Sequence, residues 1–230
     1  MATAAVRLRP ADFGNLWTLP GVYAPQADTY LLAQALHTEG VTADTDVLDV
    51  CTGSGALALF AARTGARVTA TDISWRAVLT ARMNAVRAGH RVRVRRGDLT
   101  GPVARQRFDV VVSNPPYVPT PHAHRPRSHR PAVAWDAGRR GRQAVDRICA
   151  HARDVLRPHG VLLMVHSGLC GVEETLRQLT DSGLRCSVTD RSYVPFGPVI
   201  TERLPWLRAQ GLIGPGEDKE ELVVIRAERS

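Results

Sequence analysis

The sequence predicts a doubly wound α/β domain, a mostly parallel sheet of seven strands with an antiparallel C-terminal edge. Two observations carry that expectation. Short, valine-rich apolar runs alternate with longer segments of helical period, the pattern of βαβ units with both sheet faces covered. The first of these runs, Asp46 to Val50, enters a glycine-rich turn at Gly53-Ser54-Gly55. A length of 230 residues, 44% hydrophobic and 23% charged, suits one full core and no second large one. The expected organisation is a single domain over residues 1–230, with an N-terminal helical extension at about 1–40.

In chain order, Met1 to Leu19 has no clear period and Pro20-Gly21 punctuates it. Asp28 or Thr29 is placed to cap a helix running through Leu31, Leu32, Ala35 and Leu36 toward Gly40. After the first strand, Ala56 to Arg63 reads as a helix, Arg67 to Asp72 as a second strand, and Ser74 as the cap of a helix through Val86. Val92 and Val94 mark a short third strand reaching Gly97-Asp98-Leu99, and Phe108 to Ser113 a fourth. Val118 to Ala134 is a long irregular connection, rich in Pro, His and Arg. Arg142 to Leu156 is helical and stopped by Arg157-Pro158. Val161 to Val165 is a fifth strand and Val172 to Leu179 a fifth helix. Leu184 to Asp190 and Glu221 to Ala227 close the chain as strands, separated by a long excursion.

Composition excludes several function classes. No apolar run approaches the roughly 18 residues of a membrane span. Met1 to Pro10 lacks a signal-peptide centre, so the expected location is cytoplasmic. Cys51, Cys149, Cys170 and Cys186 have no paired spacing and read as reduced, buried thiols. The net charge of +8 suggests nucleic acid, but Lys219 is the only lysine, and an arginine bias also follows from GC-rich coding. A nucleic-acid partner therefore stays open. His122, His124 and His129 lie among arginines without acids or cysteines, a poor setting for a metal ion, and none is expected. His166 reads as a half-buried structural histidine.

The chemistry concentrates at strand ends. The fourth strand finishes in Ser113-Asn114-Pro115-Pro116-Tyr117. Prolines donate no hydrogen bonds and fix the backbone, so their carbonyls are held as acceptors, and Asn adds an amide oxygen. With Tyr117 as a flat wall, this makes a socket for a planar group bearing NH₂. The plain alternative is a strand followed by a Pro-rich turn. In an open parallel sheet, ligands bind beyond the carboxyl ends of the strands. Gly53 and Gly55 there let backbone approach a ligand closely, and with Ala58 they also match a dinucleotide fingerprint. Asp72 can chelate a ribose diol. Asp49 favours a cationic ligand over a pyrophosphate. Asp98 is placed to accept from an adenine amine, with Ile73 and Leu99 on the ring faces. Each acid alone reads equally as a turn or cap residue; three at successive strand ends, with the socket at the fourth, point to S-adenosylmethionine.

The run Leu48 to Gly55, with Asn114-Pro115-Pro116-Tyr117, resembles the HemK/PrmC-like protein-glutamine N5-methyltransferases. Val22-Tyr23 with Asp28 to Leu32, Pro195 to Pro198 and Glu220 to Arg226 are similar to its short branch, which lacks the separate N-terminal helical domain. The resemblance implies the class I, Rossmann-like methyltransferase fold and methylation of the Gly-Gly-Gln glutamine of a release factor. It sets Thr29, Asp49, Cys51, Gly53, Asp72, Asp98, Leu99 and Asn114 against the cofactor. Asn114 and the Pro115 carbonyl would hold the two N–H groups, with Tyr117 against the amide plane. Cys51 stands where the family usually has Gly, and Trp135 to Arg142 is more basic than its usual equivalent. Competing readings are an adenine-N6-type nucleic-acid methyltransferase, a small-molecule tailoring methyltransferase, and a non-catalytic cofactor-binding protein. The intact socket argues against the last.

Overall fold

The computed structural model describes residues 13–121 and 137–230. The expectations for the extreme N-terminus, for the His- and Arg-rich connection and for Trp135 lie outside the described residues. The sheet has seven strands in the order β3-β2-β1-β4-β5-β7-β6. They are β1 (Asp46–Val50), β2 (Arg67–Asp72), β3 (Val92–Arg96), β4 (Phe108–Ser113), β5 (Leu156–Ser167), β6 (Leu184–Pro195) and β7 (Lys219–Arg229). The first five are parallel, whereas β7 runs antiparallel between β5 and β6. The pairings of β7 with β5 and with β6 thus form the antiparallel C-terminal edge that the sequence predicts.

Two apolar cores sandwich the sheet. Val47, Val68, Val110 and Val112 face α1 (Ala27–Thr38), α2 (Ala56–Ala62) and α3 (Trp75–Arg87). Leu48, Val111, Leu162 and Ile225 face α4 (Gln143–Val155) and α5 (Val172–Asp181). The buried strands are continuous apolar runs because both faces are covered. A smaller cluster of Val118, Ile200, Leu207 and Ile213 seats a sixth helix, α6 (Pro198–Ala209), within the excursion between β6 and β7. Sequence reading missed α6 because Pro198 opens it and Pro205 interrupts it.

Three local expectations are corrected. The N-cap of α1 is Gln26, without a side-chain bond; Asp28 and Thr29 are buried inside its first turn. The strand β5 begins at Leu156, directly after α4, because Leu156 already pairs with Phe108. The last two strands are longer than their apolar cores, since β6 and β7 pair with each other from Leu184 and Arg229 to Pro195 and Lys219.

Candidate active site

Parallel registry brings four turns side by side. Val50 pairs with Thr71 and with Ser113, and Asp72 pairs with Arg96, so β1, β2, β3 and β4 end at one level. Above them lies a cavity of about 630 Å³, within the range of small-molecule sites.

The turn after β1 is held by groups hidden beneath it. Cys51, Gly53 and Gly55 have φ of 63°, 55° and 84°, the left-handed region that glycine adopts without strain. Asp49 Oδ2 accepts from Thr52 Oγ1 at 2.5 Å and from the Ala58 amide at 3.1 Å, tying the turn to the start of α2. Its Oδ1 has no partner among the described residues, and burial lifts the carboxyl to about 7. Asp49 lies below the turn and, unlike Cys51, Thr52, Gly53 and Ser54, does not line the cavity. Gly55 is also set back: a Cβ there would meet the Ala81 Cα of α3 at 3.1 Å. Asn84, which sequence reading missed, donates to the Ser54 and Trp17 carbonyls at 2.9 and 2.8 Å and accepts from the Trp17 amide at 2.9 Å. A buried asparagine with its amide fully used holds this turn against α3.

At the end of β2, Asp72 accepts from the Gly53 amide at 3.0 Å and from the Ser74 amide at 2.8 Å. Burial raises its carboxyl above the usual range despite those bonds. Ile73 and Leu99 line the same wall, and Leu99 also has a positive φ, 46°. Beyond β3, Asp98 is gripped by Arg147 of α4 through two bonds of 3.0 and 2.6 Å. Arg147 was not anticipated, and it covers the carboxylate expected to meet an adenine amine.

The socket is built around a second buried acid. Asp28 Oδ2 accepts from the hydroxyls of Tyr23 at 2.7 Å and Tyr117 at 2.8 Å, while Oδ1 accepts from the Thr29 amide at 2.5 Å. Burial first, then the Asp28 charge, pushes both phenols far above their ordinary value, so they remain donors. Asn114 Nδ2 donates to Thr29 Oγ1 at 3.4 Å, and Asn114 and Pro115 both line the cavity. The Tyr117 carbonyl accepts from Cys170 Sγ at 3.1 Å. The residues Gly197 to Ile200 at the start of α6, together with Glu220 of β7, complete the wall.

Thr29, Cys51, Gly53, Asp72, Ile73, Asp98, Leu99, Asn114, Pro115 and Tyr117 thus share one cavity, while Asp49 and Gly55 support it from behind. Sequence reading missed Asp28 as more than a cap, and it missed Tyr23, Asn84, Arg147 and Glu220. His166 is wholly buried and outside the cavity; its Nδ1 is 2.8 Å from the Ser167 carbonyl, and burial depresses it to about 4. Among the described residues, the cavity wall carries the carboxyls Asp28, Asp72, Asp98 and Glu220 against one guanidinium, Arg147, already spent on Asp98. Such a wall suits a cationic ligand and repels a pyrophosphate. No group of His, Cys, Asp and Glu among the described residues forms a metal centre.

Comparison with known proteins gives a consistent picture. Residues 14–130 match the methyltransferase small domain family. A Methanocaldococcus jannaschii protein, provisionally named protein N5-glutamine methyltransferase, is 32% identical over 77% of this chain and 88% of its own length. The release factor glutamine methyltransferase of Bordetella pertussis is 39% identical over 72% of this chain, but the match spans 64% of that protein. Among solved structures, the E. cuniculi Mtq2-Trm112 complex, described as responsible for methylating the termination factor eRF1, superposes with a TM-score of 0.64 at 24% identity. That match covers 91% of this chain and 99% of the other.

Proposed function

The chain belongs to the methyltransferase small domain family, and from that premise we propose that it methylates the side-chain amide nitrogen of a protein glutamine with S-adenosylmethionine as donor. A translation release factor is the favoured substrate class. The observation that supports the proposal is that Asn114, Pro115 and Tyr117 line one cavity with the strand-end acids, the Asn114 amide nitrogen being hydrogen-bonded to Thr29.

The residues present fit the donor. The acidic wall answers a sulfonium and an ammonium, and Asp72 at the end of β2 retains acceptor capacity for a ribose diol. Asp98, Leu99 and Ile73 border the place of an adenine, which Arg147 must yield or share. S-Adenosylmethionine, when bound, supplies an activated methyl group that needs no metal.

The protein's own task is to make a poor nucleophile competent. An amide nitrogen has its lone pair delocalised into the carbonyl. Asn114 Oδ1 and the Pro115 carbonyl would accept its two N–H bonds, turn the lone pair out of conjugation and favour a pyramidal nitrogen. Tyr117, held by Asp28, keeps the socket closed on one side. The gain comes from positioning and from dipoles fixed in advance. The names of the relatives support glutamine over a nucleobase, as does the Asp28 bond, which ties up the hydroxyl edge of Tyr117. The test is transfer of labelled methyl to purified release factors, RNA and DNA in parallel. Incorporation into the release factor is expected; incorporation into RNA or DNA alone would replace this reading with base methylation.

A further inference from the structure

Glu220 at the start of β7 is 7% exposed and belongs to the cavity wall, yet its Oε1 has no hydrogen-bond partner among the described residues. Buried polar atoms in folded proteins are almost always paired, so an orphan oxygen in a ligand cavity calls for a function. We propose that Glu220 receives the proton that leaves the acceptor nitrogen during methyl transfer, a role that rests on the methyltransferase reading above.

Among the described residues, four titratable groups interact electrostatically with Glu220 from the elements around it: Asp28 of α1, Tyr23 before it, Tyr117 beyond β4 and Cys170 beyond β5. Asp28 is the obvious rival, but its oxygens already hold Tyr23, Tyr117 and the Thr29 amide. The two phenols and the thiol are pushed up, chiefly by burial, and stay protonated. Glu220 alone in this group has an open acceptor. Burial, reinforced by the Asp28 charge, raises it to about 7, which suits a base working near neutral pH.

The step balances. The nitrogen lone pair forms the N–CH₃ bond as the S–CH₃ bond breaks, and that electron pair returns to sulfur. The nitrogen, now cationic, loses one N–H proton once the methylated amide turns out of its bonds to Asn114 and Pro115, and the Glu220 carboxylate in the same cavity takes it up. The neutral acid later releases the proton to water.

The test compares wild type with Glu220→Gln, using S-adenosylmethionine and either a release factor or an adenine-containing RNA oligonucleotide, whichever accepts methyl. Wild-type kcat should rise with pH to a plateau with an apparent pKa near 7. Glu220→Gln should lose that limb and on the order of 10²-fold in kcat, with the dissociation constant for S-adenosylhomocysteine changed only a few-fold. Retention of the wild-type rate and pH profile would overturn the proposal. A second readout needs no acceptor. Carbon-13 NMR of the S-adenosylhomocysteine complex, assigned with Glu220→Asp, should show a glutamate carboxyl titrating near neutrality. Titration in the ordinary carboxylate range would overturn the proposal even if no acceptor is found or the glutamine variant fails to fold. Methylation of RNA but not of the release factor would reject the glutamine reading, and the pH profile on RNA would still decide the role of Glu220.

Discussion

Asn114 lines the cavity and also ties the end of β4 to α1. Its nitrogen holds Thr29, so Asn114→Asp would not be a neutral change, and Asn114→Ala is the cleaner probe. Asn114→Ala should fold and bind S-adenosylhomocysteine nearly as well as wild type while losing on the order of 10²–10³ in kcat, because the missing acceptor acts chiefly in the transition state. Single-turnover rates beside calorimetry would check this. Cys51 gives the opposite prediction. Its φ of 63° costs an L-residue about 1–2 kcal/mol, which offsets the extra chain entropy of glycine. Cys51→Gly should therefore hold or raise the melting temperature, while Cys149→Gly, in the buried interior of α4, should lower it clearly. The strand-end acids and the Asn-Pro-Pro-Tyr run were legible because residue type and spacing carry their chemistry. Asp28, Asn84 and Glu220 were not, because their importance lies in partners 89, 67 or 30 positions away, or in a partner that is lacking.

At the scale of elements, the socket depends on how the two ends of the Pro- and Arg-rich connection are pinned. The Thr120 amide donates to the Gly138 carbonyl at 3.0 Å, and the Gln143 amide donates to the Ala137 carbonyl at 3.0 Å. Arg142, 3% exposed, donates to the Gly171 carbonyl, to Thr175 Oγ1 and to Asp146, fastening the start of α4 to α5. At Gly141, with φ of 71°, a Cβ would overlap the Tyr117 carbonyl oxygen. Arg142→Met should cost on the order of 2–4 kcal/mol, since it strips several buried acceptors of their donor. Urea unfolding checks that figure. The helices and parallel strands were readable from period and punctuation. The helix α6 was not, because its prolines mask a segment whose order comes from packing on Val118 and the socket.

Over the whole molecule, a chain of net charge +8 surrounds an acid-lined cavity. Two buried carboxyls, Asp49 and Glu220, are raised to about 7 in the fold, while His166 is lowered to about 4. The signs follow by linkage. The two acids contribute stability that is complete below their unfolded values and lost as pH rises toward 7. His166 contributes stability present above its unfolded value and lost as pH falls through 4. The ligand-free protein should therefore shed stability between about pH 4 and 7 through Asp49 and Glu220. Asp49→Asn removes one source, so its melting temperature should climb relative to wild type across that range. A constant gap would show that Asp49 does not titrate there.

The central claim is that the socket presents an amide NH₂ to the methyl donor. Tandem mass spectrometry of a release factor treated with the enzyme and S-adenosylmethionine tests it directly. One methyl group on the side-chain nitrogen of the Gly-Gly-Gln glutamine is predicted, absent when that glutamine is changed to glutamate and nearly absent with Asn114→Ala. A methyl group elsewhere on the release factor, or undiminished transfer to the glutamate variant, would contradict the account.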